Sequence, residues 1–146
     1  FIDYTLYAIH NTILDMIKKI LGIDYGEKRV GVAISDEERK MAFPRYVLQN
    51  DANLAEKIFK ICNKEGIEEV VLGRSHNYKN QPNTIMKKIE EFKEVLGKEK
   101  KIKVHLEDEF LSSAEAKRIQ GHNEMLDASA AAIILRSFIE KEEEDE

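Results

Sequence analysis

Three acids stand out for where they sit along the chain. Asp24 closes the apolar run Ile20-Leu21-Gly22-Ile23, Glu109 ends an alternating stretch that begins at Ile102, and Asp127 opens an alanine-rich helical pattern. A charge at the end of an apolar run is costly unless something neutralises it. Carboxylate oxygens gathered in one place suit a hard divalent ion such as Mg²⁺ or Mn²⁺. Two such ions about 3.5–4 Å apart would hold the attacking and departing oxygens of a phosphodiester during hydrolysis. Each acid also has a plain structural reading. Asp24 can start a turn, Glu109 can be a strand-end charge beside Asp108, and Asp127 can be a first-turn acid favoured by the helix dipole.

The elements that must position these acids are legible from periodicity. Ile20 to Asp24 reads as a buried strand. Tyr25-Gly26-Glu27-Lys28 supplies a turn, and Val30, Val32 and Ile34 then alternate with Arg29, Gly31, Ala33 and Ser35, which completes a hairpin. Gly31 and Ala33 on the alternate face predict that something packs closely there. A third strand is expected over Phe43 to Leu48, with Pro44 marking it as irregular or near an edge. Leu54, Ile58, Ile61 and Cys62 have helical spacing, and Gly66 ends that helix. Ile67 to Gly73 is the next strand. Ile85, Ile89, Phe92 and Leu96 mark a second helix, and Ile102, Val104 and Leu106 mark a fifth strand ending near Glu109. Ser112 with Glu115 is a capping-box signature for a short helix, which Gly121-His122-Asn123 breaks. Met125 to about Lys141 forms the last helix. Its small residues Ala128-Ser129-Ala130-Ala131-Ala132 would let it lie close to the sheet and bring Asp127 towards Asp24.

Strands joined by helices predict parallel pairing with right-handed crossovers. The fold class is therefore α/β: a five-stranded mixed sheet, its first three strands antiparallel and the rest parallel, with helices on both faces. Ligands in such sheets collect at the carboxyl ends of the strands.

Composition bounds the rest. The 146 residues have room for one domain, and no apolar run approaches the length that spans a bilayer. The single cysteine, Cys62, excludes an internal disulfide framework and fits a reducing compartment, so a cytoplasmic protein is expected. Glu140 to Glu146 hold six acids and one base, which accounts for the whole net charge of −5. The remaining body is neutral and does not advertise nucleic-acid binding, although it permits a local basic face. Residues 1–15 lack the features of a secretory signal. Leu6, Ile9, Ile13 and Ile17 fall at helical spacing there. We expect residues 1–15 to be an extension the fold does not need, 16–140 to be the domain, and 141–146 to be a frayed acidic tail.

The run from Ile20 to Asp36, Ile-Leu-Gly-Ile-Asp-Tyr-Gly-Glu-Lys-Arg-Val-Gly-Val-Ala-Ile-Ser-Asp, resembles the opening of the YqgF family. Its members are bacterial pre-16S rRNA nucleases, also called Holliday junction resolvase-like proteins, of RNase H-like fold. Val70-Val71-Leu72-Gly73 with Asn77, Asp108-Glu109 with Leu111 to Ala116, and Asp127 to Ala131 resemble later family segments in the same order. The resemblance covers about Met16 to Glu140. It implies that the acidic triad falls on Asp24, Glu109 and Asp127 as catalytic and metal-binding residues, with one or two Mg²⁺ or Mn²⁺ ions. It further implies an endonuclease that trims the 5′ end of precursor 16S rRNA during ribosome biogenesis, with RNA or a pre-ribosomal particle as partner, no membrane, and a monomeric or weakly dimeric chain. Phe110 stands where the family usually has Arg, and Arg74-Ser75-His76-Asn77 replaces an apolar-Pro-x-Asn loop.

Candidate phosphate contacts are Lys28 and Arg29 on the hairpin and Arg74, Asn77 and Lys79 on the loop after Gly73. Tyr25, Tyr78 and Phe110 are candidates to stack on bases. His76 and His122 lack metal-ligand spacing, and Cys62, on the apolar face of a helix, reads as a buried structural thiol. Alternative readings are a catalytically weakened RNA- or ribosome-binding module of the same fold and a Holliday junction resolvase. An actin-like ATPase, whose phosphate loop shares Gly-Ile-Asp-x-Gly, would need a second domain that 146 residues cannot supply.

Overall fold

The computed structural model describes residues 3–16, 18–76, 83–99, 101–110 and 126–144, with side chains at all of these except 11–16, 74–76, 83, 84, 109 and 110. The elements run α1 (Tyr4–Met16), β1 (Leu21–Tyr25), β2 (Arg29–Ser35), β3 (Ala42–Gln49), α2 (Leu54–Glu65), β4 (Glu69–His76), α3 (Asn83–Gly97), β5 (Lys103–Phe110) and α4 (Leu126–Glu144). The helix expected after Ser112 lies outside the described residues.

The strands form one sheet in the order β3-β2-β1-β4-β5. β1, β2 and β3 pair antiparallel, whereas β1 with β4 and β4 with β5 pair parallel. Pro44 is accommodated as expected for a residue without an N–H. β3 is an edge strand, and its register with β2 shifts where Val32 faces Tyr46 and Ala33 faces Pro44.

Alternation sorts the strand residues onto two faces. Leu21, Ile23, Tyr25, Val30, Val32, Ile34, Val70 and Leu72 pack against Leu54, Ile58 and Cys62 of α2 and Ile85, Ile89, Phe92 and Leu96 of α3. Ile20, Ala33 and Val71 pack against Ala131, Ile134, Leu135 and Ile139 of α4. Among the described residues, α4 is the helix that covers this face, and β1 is buried along its full length. Small residues permit this: a Cβ on Gly22 would stand 2.7 Å from Leu135 Cβ and 3.1 Å from the Ala131 carbonyl oxygen. α2 ends at Gly66, whose φ of 70° is left-handed and whose N–H donates to the Cys62 carbonyl.

Two boundaries differ from the sequence expectation. α4 continues to Glu144, so most of the acidic stretch prolongs the helix with exposed side chains instead of leaving the fold at residue 141. β4 runs past Gly73 to His76, because Arg74, Ser75 and His76 find partners in Asp108, Glu109 and Phe110 of β5. Residues 4–16 form the helix that Leu6 and Ile9 suggested, with every side chain from Asp3 to His10 exposed.

Candidate active site

Asp24 lies at the carboxyl end of β1 and is only 9% exposed. Its sheet neighbours are both glycines, Gly31 on β2 and Gly73 on β4. Those glycines leave room that α4 occupies. A Cβ on Gly31 would stand 1.8 Å from the Asp127 carbonyl oxygen, and one on Gly73 would stand 2.7 Å from Ile134 Cγ2. The first turn of α4 therefore rests on the residue paired with Asp24, and Asp127 is delivered beside it. Among the described residues, the backbones of Asp24 and Asp127 thus both lie against Gly31.

Glu109 reaches the same edge from the other side. It pairs in register with Ser75, two residues beyond the Gly73–Glu107 pair that continues the row of Asp24 across the sheet. His105 and Glu107 of β5 both touch α4, through a 4.7 Å ring contact with Phe138 and through Ser137 and Lys141 respectively. Strand alternation places position 109 on that same face.

The predicted cations separate into groups. Arg29 is on the site: its Nε donates to Asp127 Oδ2 at 3.0 Å, with the two side chains 61% and 32% exposed. Lys28 is exposed in the β1–β2 turn, and Arg74 lies in register with Asp108 at the carboxyl end of β4. Asn77, Lys79, Tyr78 and His122 lie outside the described residues. Tyr25 is not available for stacking on a base. Strand alternation turns it inwards, where its ring lies 5.3 Å from Phe92 under α3.

Several residues escaped the sequence reading. Asn50 clamps the turn that carries Lys28 and Arg29: its Nδ2 donates to the Gly26 carbonyl at 2.8 Å and its backbone N–H to the Lys28 carbonyl at 2.9 Å. Glu107, with a side chain 8% exposed, pairs with Lys141 and accepts from Ser137 Oγ at 3.4 Å. Glu69 lies 2.6 Å from His105 Nε2 and 2.7 Å from Arg39 Nη1. Burial alone would raise its carboxyl, but the His105 hydrogen bond and the Arg39 charge outweigh that and hold it below the ordinary 4.5. Only alternation hinted at Glu107 and His105; their partners are far away in sequence.

A cavity of about 380 Å³ lies at the opposite strand edge, lined by Phe59, Cys62, Gly66, Ile67, Glu99 and Ile102. None of the three acids contributes to it. Burial pushes the Cys62 thiol up to about 11, which makes it a structural group.

The donor set fits a hard divalent ion: Asp24 and Asp127 offer carboxylate oxygens at one strand edge, and position 109 lies on the same face. Among the described residues, no three ligating side chains are already assembled. One Asp127 oxygen is held by Arg29, so an ion bound there would share Asp127 with that guanidinium.

Comparison with known proteins gives concordant findings. A family described as RuvX, Holliday junction resolvase, matches residues 18–141. A protein of Maridesulfovibrio salexigens named "Putative pre-16S rRNA nuclease" is 31% identical, with 83% of this chain and 97% of that protein aligned. One of the same name from Nitratidesulfovibrio vulgaris is 34% identical, over 83% of this chain and 92% of that protein. Among solved structures, Thermus thermophilus RuvC is similar with a TM-score of 0.58 at 14% identity, covering 86% of this chain and 96% of that one. RuvC in complex with a Holliday junction substrate gives 0.54 at 13% identity, with the same coverages. These structures share an RNase H-like fold with this chain.

Proposed function

The chain belongs to the family described as RuvX, Holliday junction resolvase, and on that premise we propose that it trims the 5′ end of precursor 16S rRNA with one or two bound Mg²⁺ or Mn²⁺ ions. It is a nuclease, a hydrolase acting on phosphodiester bonds. The observation that supports this reading is the placement of Asp24. A nearly buried carboxylate is flanked by two glycines, and α4 sets the backbone of a second acid, Asp127, against the residue it pairs with.

Asp24, Glu109 and Asp127 are the residues that would hold the ions. When bound, such ions activate water and neutralise the charge that develops on the phosphodiester. The chain's own part is to orient. The turn clamped by Asn50 presents Lys28 and Arg29 to the backbone of the nucleic acid. Arg74, at the end of β4, and Asn77 and Lys79 beyond it would contact further phosphates. Action on a ribosomal precursor places the protein in the cytoplasm. No helix among the described residues is long and apolar enough to cross a membrane. Residues 16–140 form the nuclease domain in this reading, and a chain beginning at Met16 should fold and cleave.

The test is incubation of a 5′-extended precursor rRNA fragment with Mn²⁺ and either the protein or its Asp24→Asn variant, with a four-way DNA junction in parallel. Cleavage of the RNA by the protein alone supports the reading. Cleavage of the junction alone makes it a resolvase, and RNA binding without cleavage makes it a binding module. An independent arm is thermal: Mn²⁺ at about 100 times Kd should stabilise by about 2.7 kcal/mol. That is roughly 5–10 °C in Tm for a chain of this size, and the effect should be absent in Asp24→Asn.

A further inference from the structure

The Arg29–Asp127 pair has an unusual setting. Its base is rigid: Arg29 begins β2 opposite Gln49, and Asn50 holds the preceding turn through two carbonyls. A Cβ on Gly26 would stand 2.5 Å from the Arg29 carbonyl oxygen, so the turn is tight. Its head is loosely held: the Arg29 side chain is 61% exposed and, among the described residues, makes one Nε contact at 3.0 Å to an Asp127 oxygen. Asp127 is also a first-turn acid of α4, which the helix dipole favours without Arg29. The pair is thus poorly suited to be a brace and well suited to be exchanged.

Resting on the nuclease reading above, we propose that Arg29 is a positioning residue shared between two anions. It holds Asp127 while the metal is absent, and an arriving divalent ion frees it for the nearest phosphate of the nucleic acid. The charge arithmetic favours this hand-over. A 2+ ion on Asp24 and Asp127 repels the guanidinium, and the phosphate is the anion that then lies within reach of a side chain anchored at the strand start. The exchange makes metal and nucleic acid mutually reinforcing, because nucleic acid draws Arg29 off Asp127 and the metal releases Arg29 to the phosphate. An exposed pair of this kind supports a coupling of about two- to five-fold.

The experiment measures Mn²⁺ affinity by titration calorimetry on the full chain, with and without a hydrolysis-resistant phosphorothioate RNA oligonucleotide. In the wild-type protein the RNA should tighten Mn²⁺ binding. In Arg29→Gln, Mn²⁺ alone should bind about two- to five-fold more tightly, and the RNA effect should shrink by the same factor. Arg29→Lys should recover part of the coupling. If Arg29→Gln leaves both the affinity and the RNA effect at wild-type values, the residue is a brace and the exchange is wrong. The site reading fails separately if Mn²⁺ does not bind or binds equally to Asp24→Asn, and the exchange then falls with it.

Discussion

Gly31→Ala tests how the site is assembled. The added methyl would stand 1.8 Å from the Asp127 carbonyl oxygen, whereas Cβ atoms essentially never approach closer than 3.0 Å. The obstacle is backbone, so no rotamer relieves it, and the start of α4 must lift by about 1.2 Å. Overpacking of this kind costs about 1–3 kcal/mol, of which about 0.5–1 kcal/mol is returned by removing a strand glycine. Domains of this type have about 5–15 kcal/mol in reserve, so the variant stays folded at 25 °C. The site should suffer more, since a displacement of about 1 Å typically costs about a hundredfold in rate. We expect Mn²⁺-dependent cleavage to fall about a hundredfold and Tm by only a few degrees. Gly22→Ala is the control: it presses on Leu135 in the middle of α4, 2.7 Å from its Cβ, and should lower stability with a smaller effect on rate. A Gly31→Ala protein with wild-type cleavage and Tm would refute the placement of α4 on β2.

Three further outcomes follow from the same physical terms. Gly66→Ala places a Cβ at φ 70° with no atom within 4 Å, so it should cost about 1 kcal/mol of backbone strain, seen as a Tm lower by a few degrees with cleavage at 25 °C unchanged. Asp36 Oδ1 accepts backbone N–H groups of Met41 and Lys40 at 2.9 and 2.8 Å, which hold its carboxyl below the ordinary 3.8. Because the folded value is the lower one, this stabilisation is present above about pH 4 and fades as pH falls through the folded value. Asp36→Ala should therefore lower stability at pH 7 and lessen its loss on acidification below pH 4, read by urea unfolding at each pH. Cys62, buried with its thiol pushed up to about 11, should react with iodoacetamide at pH 8 at least a hundredfold more slowly than a free thiol, and reach full speed only in denaturant.

The fold was legible because the strands that build the centre carry their own signals. Ile20 to Ile23 is apolar on both faces, and Val30, Val32 and Ile34 alternate with small residues that must admit something close. Gly31 and Gly22 lie against Ala128 and Ala131 of α4, and both sides of that close contact are visible in the sequence. What was hidden depends on register. Tyr25 beside a polar turn looked like a surface ring, yet its place one residue after Asp24 puts it on the opposite face, under Phe92. Arg74 to His76 lost the apolar pattern and looked like loop, while pairing with β5 keeps them in the sheet. Asn50 and Glu107 have polar partners 24 and 34 residues away, a distance over which no local pattern speaks. Arg29 was recognised as a cation near phosphate, but its contact with an acid 98 positions later required the fold.

The double duty of α4 has a consequence for how the protein fails. Among the described residues, the helix that packs over one whole face of the sheet also bears Asp127. Its amides should exchange with solvent only when the whole molecule opens, and on heating, loss of the site and loss of the fold should arrive as a single event.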